Sequence, residues 1–413
     1  MADPGPAPAR LLDLTRLVSR VDRGPWTGID RVEAAWLARL LGDETEPFGL
    51  VRRSGGFFLF DRAGMAALRA RLTGAVPWGA PDWRARLRLR ARPAMRAVEG
   101  DLRRLALARA AKPGLARMLG RHLPAGTCWF NLGHSNLDDG VFAAVRAAGG
   151  RSIVMVHDMI PLDWPDFQRP GTVERFADKM QAVAVGADLV ICPSEAAAAD
   201  VRRHFAPVRR VPEIAVAPLG VAPAMPDRRA LPEAVDPARP YFVVVGTIEP
   251  RKNHALLLDI WDDFAEYLAP GDVPALHIAG ARGWANEDVF ARLDNAPVMR
   301  RHVFEHNGLG DGAVSALVSG ARALLMPSHA EGFGLPPAEA LALGTPAIVG
   351  DLPVYREVLG NNPVYLNTHD MYSWANEILE FARGRNRGPT AASGGVPELP
   401  TWQAHFDLVF KAL

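Results

Sequence analysis

Two glutamates eight positions apart, Glu331 and Glu339, stand in a glycine- and proline-rich run, PSHAEGFGLPPAEALALGTP, over residues 327–346. Carboxylates at such spacing suit the hydroxyls of a sugar. The backbone N–H groups of Gly332, Phe333, Gly334 and Leu335, where a loop enters a helix, suit an anion. A second run, GTIEPRKN over residues 246–253, places Gly246 and Thr247 ahead of two adjacent cations, Arg251 and Lys252. Two cations beside a helix start are what a pyrophosphate requires. A third candidate, His157, follows the apolar run Ser152 to Val156 in HDMIPL. Phosphate needs N–H donors and cations, and sugar hydroxyls need carboxylates. A chain offering both fits a nucleotide sugar.

These residues need elements to hold them. Ala323 to Met326 reads as the end of a buried strand, and Pro336 and Pro337 suit a first helical turn because proline lacks the N–H that would be orphaned there. Gly344 is a natural helix stop with Pro346 just beyond. The pattern predicts strand, glycine loop, then a helix over 337–343. The same grammar repeats from Tyr241: strands at 241–245, 275–279, 303–304, 323–326 and 345–349, with helices near 253–268, 286–293 and 311–320. Alternation with continuous apolar strands predicts a parallel sheet covered on both faces. Strands are expected in the first half at 152–157, 187–192 and 214–218. Residues 221–240 hold five prolines and little apolar periodicity, which reads as a linker. The expected plan is an α/β protein with two doubly wound, Rossmann-like domains, 1–222 and 241–390, joined by 223–240, and a last segment, 391–413. That segment carries Phe406, Val409, Phe410 and Leu413 at helical spacing. Ligands of such sheets bind beyond the C-terminal strand ends, where the three motifs fall.

The run from Pro327 to Pro346 resembles the E-x7-E signature of retaining glycosyltransferases of family 4, which have the GT-B fold. GTIEPRKN is similar to their phosphate-binding segment, and HDMIPL to an element of mannosyltransferase-like members. The resemblance implies that Arg251, Lys252 and the loop amides hold the donor diphosphate. It implies Glu339 on the ribose hydroxyls, Glu331 on the donor sugar and His157 near the anomeric carbon. Gly28 is the candidate for the first-half glycine loop that faces the diphosphate; here the chain has Thr27-Gly28 where family members often have a glycine pair. It also implies that the last helix crosses back onto the first domain, which would be the acceptor side. The expected donor is GDP-mannose or another nucleoside diphosphate hexose, with no cofactor and no metal. The expected acceptor is a saccharide or lipid-linked saccharide of surface polysaccharide synthesis. An epimerase or phosphorylase on the same fold, and a non-catalytic scaffold subunit, are the alternatives.

Other loops at strand ends are open between site and turn: Asn131 to Asn136, Ser194, and Ala281 to Trp284, the last bordering base and diphosphate if it contributes. Asp30 and Arg31 read equally as a loop salt bridge. No dinucleotide fingerprint, Walker loop or zinc-protease motif occurs, and no Asp-x-Asp pair of the metal-dependent glycosyltransferase type. The net charge of +1 argues for no nucleic acid. Two cysteines, Cys128 and Cys192, form neither zinc spacing nor a disulfide framework, so a reducing cytoplasm is the expected compartment. The start lacks a secretory apolar region, and no apolar run approaches the roughly 20 residues that span a bilayer. Residues 81–121 hold twelve Arg or Lys against three acids, interleaved with Leu87, Leu89, Met95, Leu102, Leu105 and Leu119. A basic amphipathic surface of this kind is open between peripheral contact with the cytoplasmic membrane face and an ordinary solvated basic face.

Overall fold

The computed structural model describes residues 7–87, 90, 92–207, 211–384 and 398–413. Two sheets organise them. The first contains β1 (Ala9–Asp13), β2 (Glu46–Arg53), β3 (Gly56–Phe60), β4 (Ala108–Ala110), β5 (Cys128–Asn131), β6 (Arg151–Met155), β7 (Leu189–Cys192) and β8 (Glu213–Val216). Their order is β4-β3-β2-β1-β5-β6-β7-β8, and only β3 runs against the rest. The second contains β9 (Tyr241–Val245), β10 (Ala275–Ala279), β11 (Val303–His306), β12 (Ala323–Met326), β13 (Ala347–Gly350) and β14 (Val364–Leu366). It is parallel throughout, in the order β11-β10-β9-β12-β13-β14. The chain reverses direction across this sheet between β9 and β12. That switch point opens a crevice at the strand ends, and the loops leaving these two strands are GTIEPRKN and the glycine loop.

The strands are apolar on both sides because both faces are covered. Alternate residues serve opposite cores. In the first sheet Leu11, Leu50, Trp129, Val154 and Val190 pack on one side, and Leu12, Val51, Phe130, Ile153 and Leu189 on the other. In the second, Phe242, Val244, Leu276, Ile278 and Leu325 oppose Val243, Ala275, Ala279, Leu324 and Met326.

Several elements differ from the sequence reading. The first half adds β1 to β4, too short or too near polar turns to show a period. The helix after the glycine loop starts two residues early, as Leu335–Ala342, because Pro336 fits its first turn. Gly28 is the first residue of a helix, Gly28–Gly42, rather than part of a loop before it, since Thr27 and Asp30 form a capping box. The linker residues 223–240 carry one short 3-10 turn, Arg228–Ala230, and Asp227 N donates to Gly312 O at 2.9 Å, against the second domain. Residues 385–397, which include the end of the expected second domain and the start of the last segment, lie outside the described residues. The final helix, Trp402–Lys411, buries Phe406 and Val409 in the core of the first domain. Trp36 Nε1 donates to His405 Nε2 at 3.1 Å, and His405 Nδ1 lies 3.1 Å from the carbonyl oxygens of Ala217 and Pro218.

Most of the apolar residues of the basic stretch face the first domain's cores. Met95, Leu102 and Leu119 are buried in the first domain's cores and Leu105 is partly buried there, while Leu89 lies outside the described residues. Apolar residues of the helix Pro93–Leu105 point inward, and two of its arginines are paired, Arg103 with Asp82 and Arg104 with Asp101, which also holds Arg71 of the helix Arg62–Leu72. Trp83 and Leu87 remain 67% and 73% exposed. Among the described residues no helix is long and apolar enough to cross a membrane.

Candidate active site

The glycine loop leaves β12 and is wedged between the domains. Gly334 adopts φ +92°, and a Cβ there would lie 2.4 Å from Tyr355 Cε1. A Cβ on Gly332 would lie 2.4 Å from the carbonyl oxygen of His157, across the cleft. Only glycine fits either place. Phe333 is buried in the first domain's core, and Leu335 Cδ1 lies 3.5 Å from the Cβ position of Gly28. The side chains of Phe333 and Leu335 therefore pack the domain interface, and only their backbone can serve a donor. The amides of Gly332, Phe333 and Gly334 make no hydrogen bond among the described residues. Unpaired amides next to a helix start are groups that suit an anion, and this loop is a candidate cradle for one.

Facing this cradle is the loop after β9. Gly246 takes φ +142°, and Lys252 Nζ lies 3.7 Å from where its Cβ would be. Thr247 Cγ2 packs on Gly283. Arg251 and Lys252 sit in a 3-10 turn, Pro250–Lys252, that leads through Asn253 in the left-handed conformation into the helix His254–Tyr267. Both cations converge on Glu331. Arg251 Nη1 donates to Glu331 Oε2 at 2.8 Å and to Ala330 O at 2.9 Å, and Lys252 Nζ donates to Glu331 Oε1 at 2.5 Å. Arg251 Nε also pairs with Glu249 at 2.7 Å, and His329 N donates to Arg251 O at 2.8 Å. These bonds stitch the two loops together.

The electrostatics follow from burial and pairing. Burial works to raise the Glu331 carboxyl, but Arg251 and Lys252 outweigh it and hold the group down at about 2. Burial lowers Lys252, with Glu331 opposing. Arg251 is held above its ordinary value: burial works to lower it, and Glu331, Glu249 and Asp158 outweigh burial. Asp158 is raised by burial against the pull of Arg251. On the first-domain side, His157 Nε2 lies 2.7 Å from Leu132 O. A carbonyl only accepts, so Nε2 carries the proton and Nδ1 is left as an acceptor. Burial depresses this histidine to about 4, so it is neutral near pH 7.

Glu339 is not open. Arg31, one turn into the helix that starts at Gly28, holds its carboxylate with both terminal nitrogens, Nη1 at 3.2 Å and Nη2 closer. Arg31 Nη2 also reaches Ala222 O at 3.4 Å. Gly28, Arg31, Leu335 and Trp402 border an interdomain cavity of about 90 Å³. The loop-salt-bridge reading thus divides: Asp30 pairs with Arg16 and Arg20, and Arg31 pairs across the cleft.

Of the open loops, Asn131 to Asn136 is held by side-chain bonds: Asn131 Nδ2 donates to Ser135 O and Asn136 Nδ2 to Asp13 at 2.7 Å, while Asn131 Oδ1 is buried with no hydrogen-bond partner among the described residues. Arg282 is engaged by Asp294 and Glu305, and Trp284 Nε1 donates to Phe167 O at 2.9 Å. Ser194 caps the helix Glu195–Phe205 and donates to Gly332 O at 3.1 Å. The sequence reading missed Glu249, Tyr355 and Glu357, and did not give Arg31 its cross-domain role. The Glu357 carboxylate accepts from the amides of Glu195 and Ala196 at 2.6 and 3.1 Å, capping a helix of the opposite domain. Only Arg31 carried a usable signal, standing one turn from Gly28 on a helix that opens at the cleft. Among the described residues no group of three or more His, Cys, Asp or Glu is placed to hold a metal ion.

Comparison with known proteins bears on this arrangement. Residues 229–388 match the family described as Glycosyl transferases group 1. The serotype-specific mannosyltransferase WbdA of Escherichia coli is 28% identical over 287 residues, 65% of this chain and 34% of that protein. The O-antigen chain mannosyltransferase RfbU of Salmonella typhimurium is 33% identical over 141 residues, 33% of this chain and 37% of that protein. The chain therefore spans about a third of the length of these relatives. Among solved structures, Anabaena Alr3699/HepE in complex with UDP-glucose superposes with a TM-score of 0.54 at 14% identity, over 73% of this chain and 81% of that one. Sucrose-phosphate synthase from Thermosynechococcus elongatus superposes at 0.52 with 18% identity, over 73% and 78%. The fold is GT-B. Two Rossmann-like domains face each other, and the cradle described above lies at the switch point of the second.

Proposed function

We propose that this chain is a retaining glycosyltransferase of the family 4 type, moving a hexose from a nucleoside diphosphate sugar to a saccharide or lipid-linked acceptor. The observation that carries the reading is the set of unbonded amides at Gly332 to Gly334 beside Arg251 and Lys252. Free donors and two cations meeting at a switch point are a diphosphate site in chemical terms. Mannose is the favoured sugar, supported by the similarity to the mannosyltransferases WbdA and RfbU and by HDMIPL. Surface polysaccharide synthesis is the favoured setting on the same grounds.

In the proposed mechanism the diphosphate lies on the loop amides and draws Arg251 and Lys252 toward it. Both cations and the adjoining helix start stabilise charge growing on the leaving phosphate, the largest expected contribution to rate. The leaving oxygen helps deprotonate the acceptor hydroxyl on the same face of the sugar, so the anomeric configuration is retained. Glu331 binds sugar hydroxyls and offsets positive character at the ring. His157, neutral, offers Nδ1 to a sugar hydroxyl. Glu339 takes the ribose once Arg31 yields it. Protein cations supply the charge stabilisation, with no divalent ion. The interdomain contacts keep water from the reacting carbon.

The test is thermal stabilisation by GDP, UDP, ADP and their sugar conjugates, with and without EDTA. A selective shift with one nucleotide, insensitive to EDTA, is expected and would name the base. No shift with any of them would overturn the reading. A lipid-linked acceptor places the work at a membrane surface, where Trp83 and Leu87 with Arg84 and Arg86 are the proposed contact. Co-sedimentation with anionic vesicles, lost in a Trp83→Ala, Leu87→Ala double variant, tests that part.

A further inference from the structure

Tyr355 lies in the helix Pro353–Leu359 and is fully buried. Its ring is the floor beneath the glycine loop: a Cβ at Gly334 would lie 2.4 Å from Tyr355 Cε1. Its hydroxyl faces Ser328 and Glu331. Neither that hydroxyl nor Ser328 Oγ makes a hydrogen bond of normal geometry among the described residues. A buried hydroxyl without a partner costs stability. Phenylalanine would fill the same space with no polar atom to satisfy, so packing alone does not account for a tyrosine.

The neighbouring carboxylate supplies a reason. Both oxygens of Glu331 are engaged, one by Arg251 and one by Lys252. A diphosphate on the loop amides competes for those two cations with more charge than one carboxylate. Once they turn to it, Glu331, whose side chain is 7% exposed, needs new donors or a proton. The charged and titratable groups around it are Arg251 and Lys252 from the loop after β9, Glu249 and Asp158 beyond Arg251, His329 beside it in the chain, and Tyr355 below. The two acids accept and repel, and the cations are committed to the diphosphate. Among the described residues the Tyr355 hydroxyl is a buried donor beside Glu331 with no partner of normal geometry.

We infer that Tyr355 is a positioning residue: its hydroxyl takes over the Glu331 carboxylate when the diphosphate draws Arg251 and Lys252 away, keeping it ionised and aimed at the donor sugar. Burial and the nearby Glu331 both raise the phenol, so it stays protonated and able to donate. The inference rests on the nucleotide-sugar reading.

The experiment is calorimetric titration of GDP and UDP into the wild type and Tyr355→Phe near pH 6, in two buffers of different ionisation enthalpy. Their heats give the protons taken up on binding. The variant is expected to take up about one proton more than the wild type, because Glu331 then accepts a proton in place of the phenol's hydrogen bond. Its affinity above pH 7 should be roughly tenfold weaker. The sugar conjugate should reduce the excess uptake, since sugar hydroxyls also donate to Glu331. Glu331→Gln combined with Tyr355→Phe should abolish it. A merely structural role for Tyr355 would leave the proton count unmoved. Equal counts and equal affinities in the two proteins overturn the inference and leave the site reading intact. No binding of any nucleoside diphosphate to the wild type removes both. If Tyr355→Phe does not fold, the wild type still decides: proton uptake that Glu331→Gln abolishes would mean that Tyr355 does not keep the carboxylate ionised.

Discussion

Replacing Glu331 by alanine should destabilise the protein, abolish turnover and leave diphosphate binding at least as strong as before. Glu331 is the counter-ion of both cations, at 2.8 Å from Arg251 and 2.5 Å from Lys252. Arg251 keeps Glu249 and Ala330 O after the change. Lys252 is 6% exposed and loses its one recorded ion pair. Breaking one side of a buried pair costs about 3–5 kcal/mol. Lys252 is already lowered by burial, so it can shed its proton, and the lower end, about 3 kcal/mol, is expected. In a domain of this size that is a fall of about 6–12 °C in Tm. A diphosphate replaces the missing carboxylate and no longer has to displace it. Nucleotide at a hundredfold excess over Kd should return about 2.7 kcal/mol. The assay is a melting curve of Glu331→Ala with and without GDP or UDP, beside a donor-consumption assay. An unchanged Tm together with weaker nucleotide binding would refute the counter-ion reasoning, and near-wild-type turnover would remove Glu331 from the mechanism.

Gly334→Ala should lose the nucleotide-dependent thermal shift and destabilise by about 1–3 kcal/mol, because it combines φ +92° with a 2.4 Å contact on Tyr355; chemical denaturation measures the second part. Arg31→Ala frees Glu339 and should tighten binding of ribonucleoside diphosphates a few-fold while leaving 2′,3′-dideoxy analogues unaffected; equal gains for both would place the effect elsewhere. Acid should destabilise the fold below about pH 6.5. Burial depresses His157 to about 4 and His254 and His277 to about 3, and puts His134 well below the usual value. The unfolded chain then binds more protons, so this stability is present above 6.5 and is lost as pH falls toward 3. Asp13, raised to about 6 by burial, Glu33, raised well above its ordinary value, and Asp158, also raised by burial, oppose the trend, but the four histidines outnumber these three acids. Urea unfolding at about pH 7 and about pH 5 should show the loss, and equal stabilities would contradict the neutral-histidine assignment.

What the sequence determined by itself was local. Tyr241 to Val245 and Ala323 to Met326 are apolar throughout because both faces of a parallel sheet are covered, so strand identity is legible from a short run. Glycine, proline and the two adjacent cations mark loops and helix starts through backbone chemistry that needs no distant partner, which is why Gly334, Arg251 and Lys252 could be placed beside helix starts. The limits of that reading are also physical. β1 to β4 carry little periodic signal, and the arginine-rich stretch is amphipathic, but spacing cannot say that its apolar residues Met95, Leu102 and Leu119 meet a core. Pairing across the chain was decided only by the tertiary structure. Glu331 sits on Arg251 and Lys252 from 80 and 79 positions away, Arg31 closes on Glu339 from 308, and Tyr355 lies beneath a loop it follows in sequence. Such contacts are set where two sheets place their strand ends, and no local preference encodes them.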